Sequence, residues 1–127
     1  MREAVQWGVS EGLLELPPSD PYGLLAAQMA RAMGQEFSTH NGRRYRVNHA
    51  VSVTQDGEQA TFWGIMGYAP HEHMEKAFAQ RREHIIAECL QLHNDVLVYN
   101  DMNEGTIPAI QMVLDFTEDV AERDQAA

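Results

Sequence analysis

The sequence has little of what marks several large classes of protein. It contains a single cysteine, Cys89, so no disulfide can form within the chain. A lone thiol is typical of a reducing compartment, and we expect a cytoplasmic location. No stretch approaches the roughly 20 consecutive apolar residues that cross a bilayer. Because the first twelve residues also lack an apolar run, we predict neither a membrane partner nor a secretory signal.

Motifs that carry chemistry are missing as well. The chain has no G-x-S-x-G turn, no glycine-rich phosphate loop and no H-E-x-x-H or C-x-x-C spacing. His84 and Glu88 are four residues apart, as are Cys89 and His93, but a metal site needs three or four ligands. We therefore expect no catalytic residue, no metal and no cofactor, and a protein that is not an enzyme.

Charges of both signs are present, but they are unevenly distributed. The formal net charge is -10, which disfavours generic binding to nucleic acid or to an anionic membrane. Residues 43–82 carry six cations against four carboxylates, whereas residues 83–127 carry one cation against ten. The basic part suggests an interaction surface. The acidic third raises the alternative of a protein that imitates the phosphates of DNA.

The first 42 residues indicate two helices. Residues 2–14 repeat apolar side chains at helical spacing. The stretch "LPPSDP" then breaks the chain. Asp20 is suited to cap a second helix and Pro21 to begin it. This helix is expected to reach about Phe37, where the Asn-Gly of "THNG" ends it with left-handed backbone.

Residues 43–68 are predicted to form a β-hairpin around an Asp56-Gly57 turn. In that register one face is apolar except for His49 and Gly64, which makes it the core side. We expect His49 to be buried and hydrogen-bonded in the room that Gly64 leaves. The other face combines cationic, amide and aromatic side chains: Arg44, Arg46, Asn48, Thr61, Trp63 and Ile65. Such a face predicts either a cover from the N-terminal helices or a surface that binds protein or nucleic acid.

Residues 70–103 are predicted to form one long helix. Apolar residues recur three and four apart along it, and Gly105 and Pro108 follow its expected end. The helix would be roughly 50 Å long, and a compact domain of this size is only about 36 Å across. Its apolar stripe therefore needs a partner, and we predict a homodimer through Ile85, Cys89, Leu92, Val96 and Tyr99. The alternative ends the helix near His93 and makes residues 95–100 a strand.

The stretch "AIQMVLDF" alternates in polarity and predicts a third strand that joins the hairpin. Its last six residues, 111–116, also resemble the peptide with which bacterial replication and repair proteins dock on the DNA polymerase sliding clamp. That peptide has glutamine first, a hydrophobic residue second, leucine fourth and a hydrophobic or aromatic residue last. The resemblance implies an exposed segment that binds a protein, whereas a third strand would bury the same residues. We expect the strand.

Together these patterns predict a single α+β domain over residues 1–127. It comprises a helical part (1–42), a β-hairpin (43–68), a long helix (70–103), a strand that completes a small sheet (108–116) and an acidic tail (117–127). We expect a non-catalytic binding protein that self-associates and acts on a protein partner, like accessory or inhibitor proteins of phages and plasmids. Nucleic-acid binding through the basic-aromatic face is the alternative, and DNA mimicry is a second.

Overall fold

The computed structural model describes residues 1–16 and 20–126, so the predicted break at 17–19 lies outside the described residues. The described part contains four helices and two separate two-stranded antiparallel sheets, which confirms the α+β class. The chain divides into two compact units, Met1–His49 and Ala50–Ala127.

The first unit contains two short helices and a small hairpin. Helix α1 spans Arg2–Ser10 and helix α2 spans Pro21–Gly34. The Asp20 carboxylate accepts a 3.0 Å hydrogen bond from the Gly23 N–H, which confirms the predicted cap. Both helices are shorter than predicted, because the chain turns at Gly12 and leaves the helical path after Gly34.

Strands β1 (Phe37–His40) and β2 (Arg43–Arg46) form the hairpin of the first unit. Phe37 lies opposite Arg46 in the antiparallel register. Asn41 and Gly42 both have positive φ, 50° and 79°, as a two-residue hairpin turn requires. The prediction that residues 35–37 are helical is therefore wrong: the Asn-Gly pair joins two strands instead of ending a helix.

Strands β3 (Asn48–Gln55) and β4 (Glu58–Ile65) form the second sheet. Asp56 and Gly57 form its turn with φ of 51° and 80°, which confirms the predicted turn. The predicted strand from residue 43 to 55 is divided, because the chain bends at Val47 and residues 43–46 pair with β1. The hairpin of this sheet therefore spans residues 48–65, not 43–68.

Helix α3 runs unbroken from His71 to Met102, 32 residues and about 48 Å. This confirms the long helix, and the alternative strand over 95–100 is wrong. Gln80 joins α3 to the sheet: its Oε1 accepts from the Ser52 N–H (2.8 Å), and its Nε2 donates to the Ser52 carbonyl (2.7 Å). Neither α3 nor any other helix in the described ranges has the length and hydropathy that a bilayer crossing requires.

The predicted third strand over 108–116 is wrong, because these residues pair with no strand. The Asn100 side chain holds this segment instead. It donates to the Ile110 carbonyl (2.8 Å) and accepts from the Ile110 N–H (2.9 Å). An amide side chain thus supplies the two hydrogen bonds that a neighbouring strand would have supplied.

The predicted acidic tail is helical in the described residues. Helix α4 spans Thr117–Ala126, with Glu118 and Asp119 in its first turn, where carboxylates interact favourably with the helix dipole. The Asp115 carboxylate accepts from the hydroxyl and the N–H of Thr117 (2.8 and 3.2 Å). These hydrogen bonds lower the pKa of Asp115, the side-chain bond contributing most.

Candidate binding surfaces

Helix α3 exposes a regular stripe of large apolar side chains. Ile85, Leu92 and Tyr99 recur at intervals of seven residues, and they are 57%, 39% and 42% exposed. A seven-residue repeat returns to one side of a helix with a slow drift, and such a stripe is what a partner helix covers in a coiled coil. We call these three residues the α3 seam.

The other two residues of the predicted dimer surface flank the seam. Cys89 and Val96 are half-buried, and they alternate with the seam residues at spacings of three and four. They therefore complete the a/d pattern of a heptad repeat. All five residues lie within the unbroken helix α3, and their role in a dimer stays a prediction.

Few apolar side chains outside the α3 seam are buried in the described part of the chain. Among the described residues, the buried apolar side chains are those of Val51 and Ala77. The face of the hairpin that was predicted to be core is only partly covered: Val53 is half-buried, and Phe62 and Tyr68 are exposed. Within residues 1–16 and 20–126, few large apolar side chains are therefore buried.

The predicted basic-aromatic face is divided between the two sheets. Arg44 and Arg46 lie on β2, and Phe37 on β1 shares their face. The Arg44 guanidinium carbon is 3.9 Å from the centre of the Phe37 ring, and that of Arg46 is 6.0 Å away. This is cation–π geometry, which fixes Arg44 over the ring while both arginines stay exposed. Residues 37–46 contain three arginines and no carboxylate, so this hairpin is locally cationic.

Asn48, also predicted on that face, is only 7% exposed. Its amide donates to the Met33 carbonyl (3.0 Å) and to the Glu36 carboxylate (2.8 Å). A buried amide with two such partners fixes the end of α2 to the start of β3. Its contacts are structural, and its side chain does not join an exposed surface with Arg44 and Arg46.

Thr61, Trp63 and Ile65 lie on β4, in the other unit. Thr61 and Ile65 are exposed and Trp63 is half-buried. Alternate residues of a strand point to one side, so these three share a face as predicted. Arg44 and Arg46 lie on the sheet of the first unit.

His49 was predicted to be buried beside Gly64, and only its burial is confirmed. His49 is buried, and its Nε2 lies 2.7 Å from the Arg46 carbonyl, which confirms a buried, hydrogen-bonded side chain. The ring nearest to Gly64, however, belongs to His73: a Cβ on Gly64 would lie 2.6 Å from that ring and 2.7 Å from the Ala69 Cβ. His73 also lines a cleft of about 300 Å³ with Val51 and other residues. No sequence pattern had linked Gly64 to His73.

The segment that resembles a clamp-binding peptide is accessible. Met112, Val113 and Phe116 are exposed, and Leu114 is half-buried. The reason for expecting burial was a third strand, and that strand does not form. The segment is anchored before it by Asn100 and after it by the Asp115–Thr117 hydrogen bonds.

Within residues 1–16 and 20–126, no three histidine, cysteine or carboxylate side chains come together as a metal site would require. His71 and Glu75 form an exposed pair one helical turn apart on α3, with 2.5 Å between Nε2 and Oε1.

Comparison with known proteins gives no match to a family model, a curated protein or a solved structure.

Proposed function

We propose that this chain is a non-catalytic, cytosolic binding protein that self-associates through helix α3 and acts on a protein partner. The observation that carries the proposal is the exposed α3 seam of Ile85, Leu92 and Tyr99. Covering exposed apolar surface with a partner favours association by a free energy of about 25 cal/mol for each Å². A second copy offers the same stripe, and a twofold dimer is the commonest assembly of soluble proteins.

The mass of the protein in solution tests this proposal. We expect light scattering to give twice the chain mass of 14.3 kDa, or a higher multiple, at micromolar concentration. Dilution should shift the mass towards one chain only near the dissociation constant. A constant mass of one chain up to about 1 mM, where even a weak pair with a binding free energy near -4 kcal/mol would form, contradicts the proposal.

A second candidate function concerns the protein partner. The exposed segment 111–116 resembles the sliding-clamp peptide, and its backbone is not paired with a strand. Extended peptides with free backbone groups and alternating apolar anchors dock into grooves of folded proteins. We propose that this segment is the part of the chain that contacts the partner, and that the partner is a sliding clamp.

Binding of the full chain to a purified bacterial sliding clamp tests this second proposal. Phe116→Ala removes the terminal anchor and should weaken binding about tenfold or more, since buried aromatic anchors are typical hot spots. Val113→Ala is the matched control, because Val113 is 77% exposed and stands where the resemblance requires no particular residue. Equal loss in both variants, or no binding of the wild type at about 100 µM, would rule out clamp docking.

A further inference from the structure

The charges along α3 bear on how two copies would meet. From His71 to Arg82 the helix carries three cations and two carboxylates. From Glu83 to Met102 it carries four carboxylates and no lysine or arginine. Two copies placed side by side in the same direction would set acidic half against acidic half. In opposite directions, each acidic half lies beside the other copy's cationic end.

Arg82 gives an independent argument for the opposite direction. It occupies a position of the heptad repeat, three residues before Ile85 and seven before Cys89, and its side chain is 75% exposed. In a parallel, in-register pair, equivalent positions face each other, so the two Arg82 side chains would meet. Like charges directly opposite each other destabilise a coiled coil. In an antiparallel pair each Arg82 instead faces an apolar residue.

From these observations we infer that two copies of this chain pair through α3 in antiparallel orientation, an inference that rests on the proposed self-association. The register that satisfies both arguments places Ile85 opposite Cys89 of the second copy, and Arg82 opposite Leu92. Arg81 then lies beside Asp95 of the second copy, twice in the symmetric pair. The Glu88 side chains of the two copies face each other near the twofold axis and repel. The two Arg81–Asp95 pairs outweigh this single repulsion.

Distances between spin labels on the two copies test the orientation. Single cysteines replace Lys76, Ala87 or Asp101, all exposed on α3, in chains that carry Cys89→Ala. In the antiparallel register the two labels are offset along the axis by about 33 Å at residue 76, near zero at 87 and about 42 Å at 101. The label–label distance should therefore be longer at both ends than in the middle, by about 15 Å or more.

The outcomes separate this inference from the proposed function. Equal distances at the three positions would show a parallel pair, which overturns the orientation and leaves self-association standing. Absence of any intermolecular coupling, together with the mass of one chain for the unlabelled wild type, overturns both. Light scattering on each labelled chain checks that the substitutions leave the assembly intact.

Exchange of the paired charges provides a second measurement. Arg81→Asp or Asp95→Arg alone should raise the dissociation constant about three- to tenfold, whereas the double variant should restore it. In one helix these residues are about 21 Å apart, beyond the screening length in physiological salt. Restoration therefore requires contact between copies in opposite directions. Lack of restoration contradicts the register.

Discussion

Leu92→Lys should convert the proposed α3 pair to single chains at concentrations where the wild type is associated. Leu92 is the central residue of the α3 seam, and in the antiparallel register the substitution places an ammonium group opposite Arg82 of the second copy. Two like charges at a desolvated contact are strongly unfavourable, so we expect the dissociation constant to rise about 100-fold or more. Sedimentation or light scattering over a dilution series measures the change.

Asn94→Lys is the control for this variant. It adds the same ammonium group two residues away, on another side of α3, at an exposed position. Because it lies outside the seam and lysine has a higher helix propensity than asparagine, we expect the wild-type mass to be retained. If both variants dissociate equally, the effect comes from the added positive charge rather than from the seam. If neither dissociates, α3 is not the interface.

Gly64→Ala should destabilise the second unit by about 1–3 kcal/mol, the usual range for overpacking. The added Cβ would lie 2.7 Å from the Ala69 Cβ and 2.6 Å from the His73 ring, distances at which something must shift. The His73 ring can rotate, but Ala69 has no flexible side chain to move. The contact between β4 and the start of α3 must therefore loosen. Denaturant unfolding followed by Trp63 fluorescence, in chains that carry Trp7→Phe, reports the change.

Gly34→Ala is the matched control, because a Cβ there meets nothing within 4 Å. Gly34 is the last residue of α2, where alanine is favoured over glycine by up to about 1 kcal/mol. The two identical substitutions should therefore change the free energy of unfolding in opposite directions. A neutral Gly64→Ala would show that the chain accommodates a methyl group at that contact.

Features fixed by local sequence were predictable from it. The long helix follows from periodicity sustained over residues 71–102, which contain no proline and no glycine. The Asp56-Gly57 turn and the Asp20 cap also depend only on neighbouring residues. The grouping of the five predicted dimer residues depends on this periodicity alone, and their role in a dimer stays a prediction.

Other features depend on residues that are distant in sequence, and these were missed. Residues 43–55 alternate without interruption, so nothing local indicates the bend at Val47 that divides the strand. An Asn-Gly pair suits both a helix end and a hairpin turn, and pairing of Phe37 with Arg46 selects the hairpin. The sequence predicts Asn48 to be an exposed polar residue, because nothing local indicates its hydrogen bonds to Met33 and Glu36.

The segment 108–116 shows the limit of an alternating pattern. Such a pattern indicates an extended backbone, but it does not identify what satisfies that backbone. Here the partner of Ile110 is the Asn100 side chain, ten residues earlier. Residues 111–116 were open to two interpretations for the same reason, a buried third strand or an exposed peptide that binds a protein. Burial required a neighbouring strand, and its absence leaves Phe116 exposed.

The Gln80–Ser52 contact bears on aggregation. Strands stack edge to edge into fibrils only when consecutive backbone groups of the outermost strand are unoccupied. Gln80 occupies both groups of Ser52 in the middle of β3, which interrupts such a ladder. A protein with this much uncovered apolar surface is thereby steered away from amyloid-like growth along β3. We therefore expect substitution of Gln80 to lower the solubility of the protein.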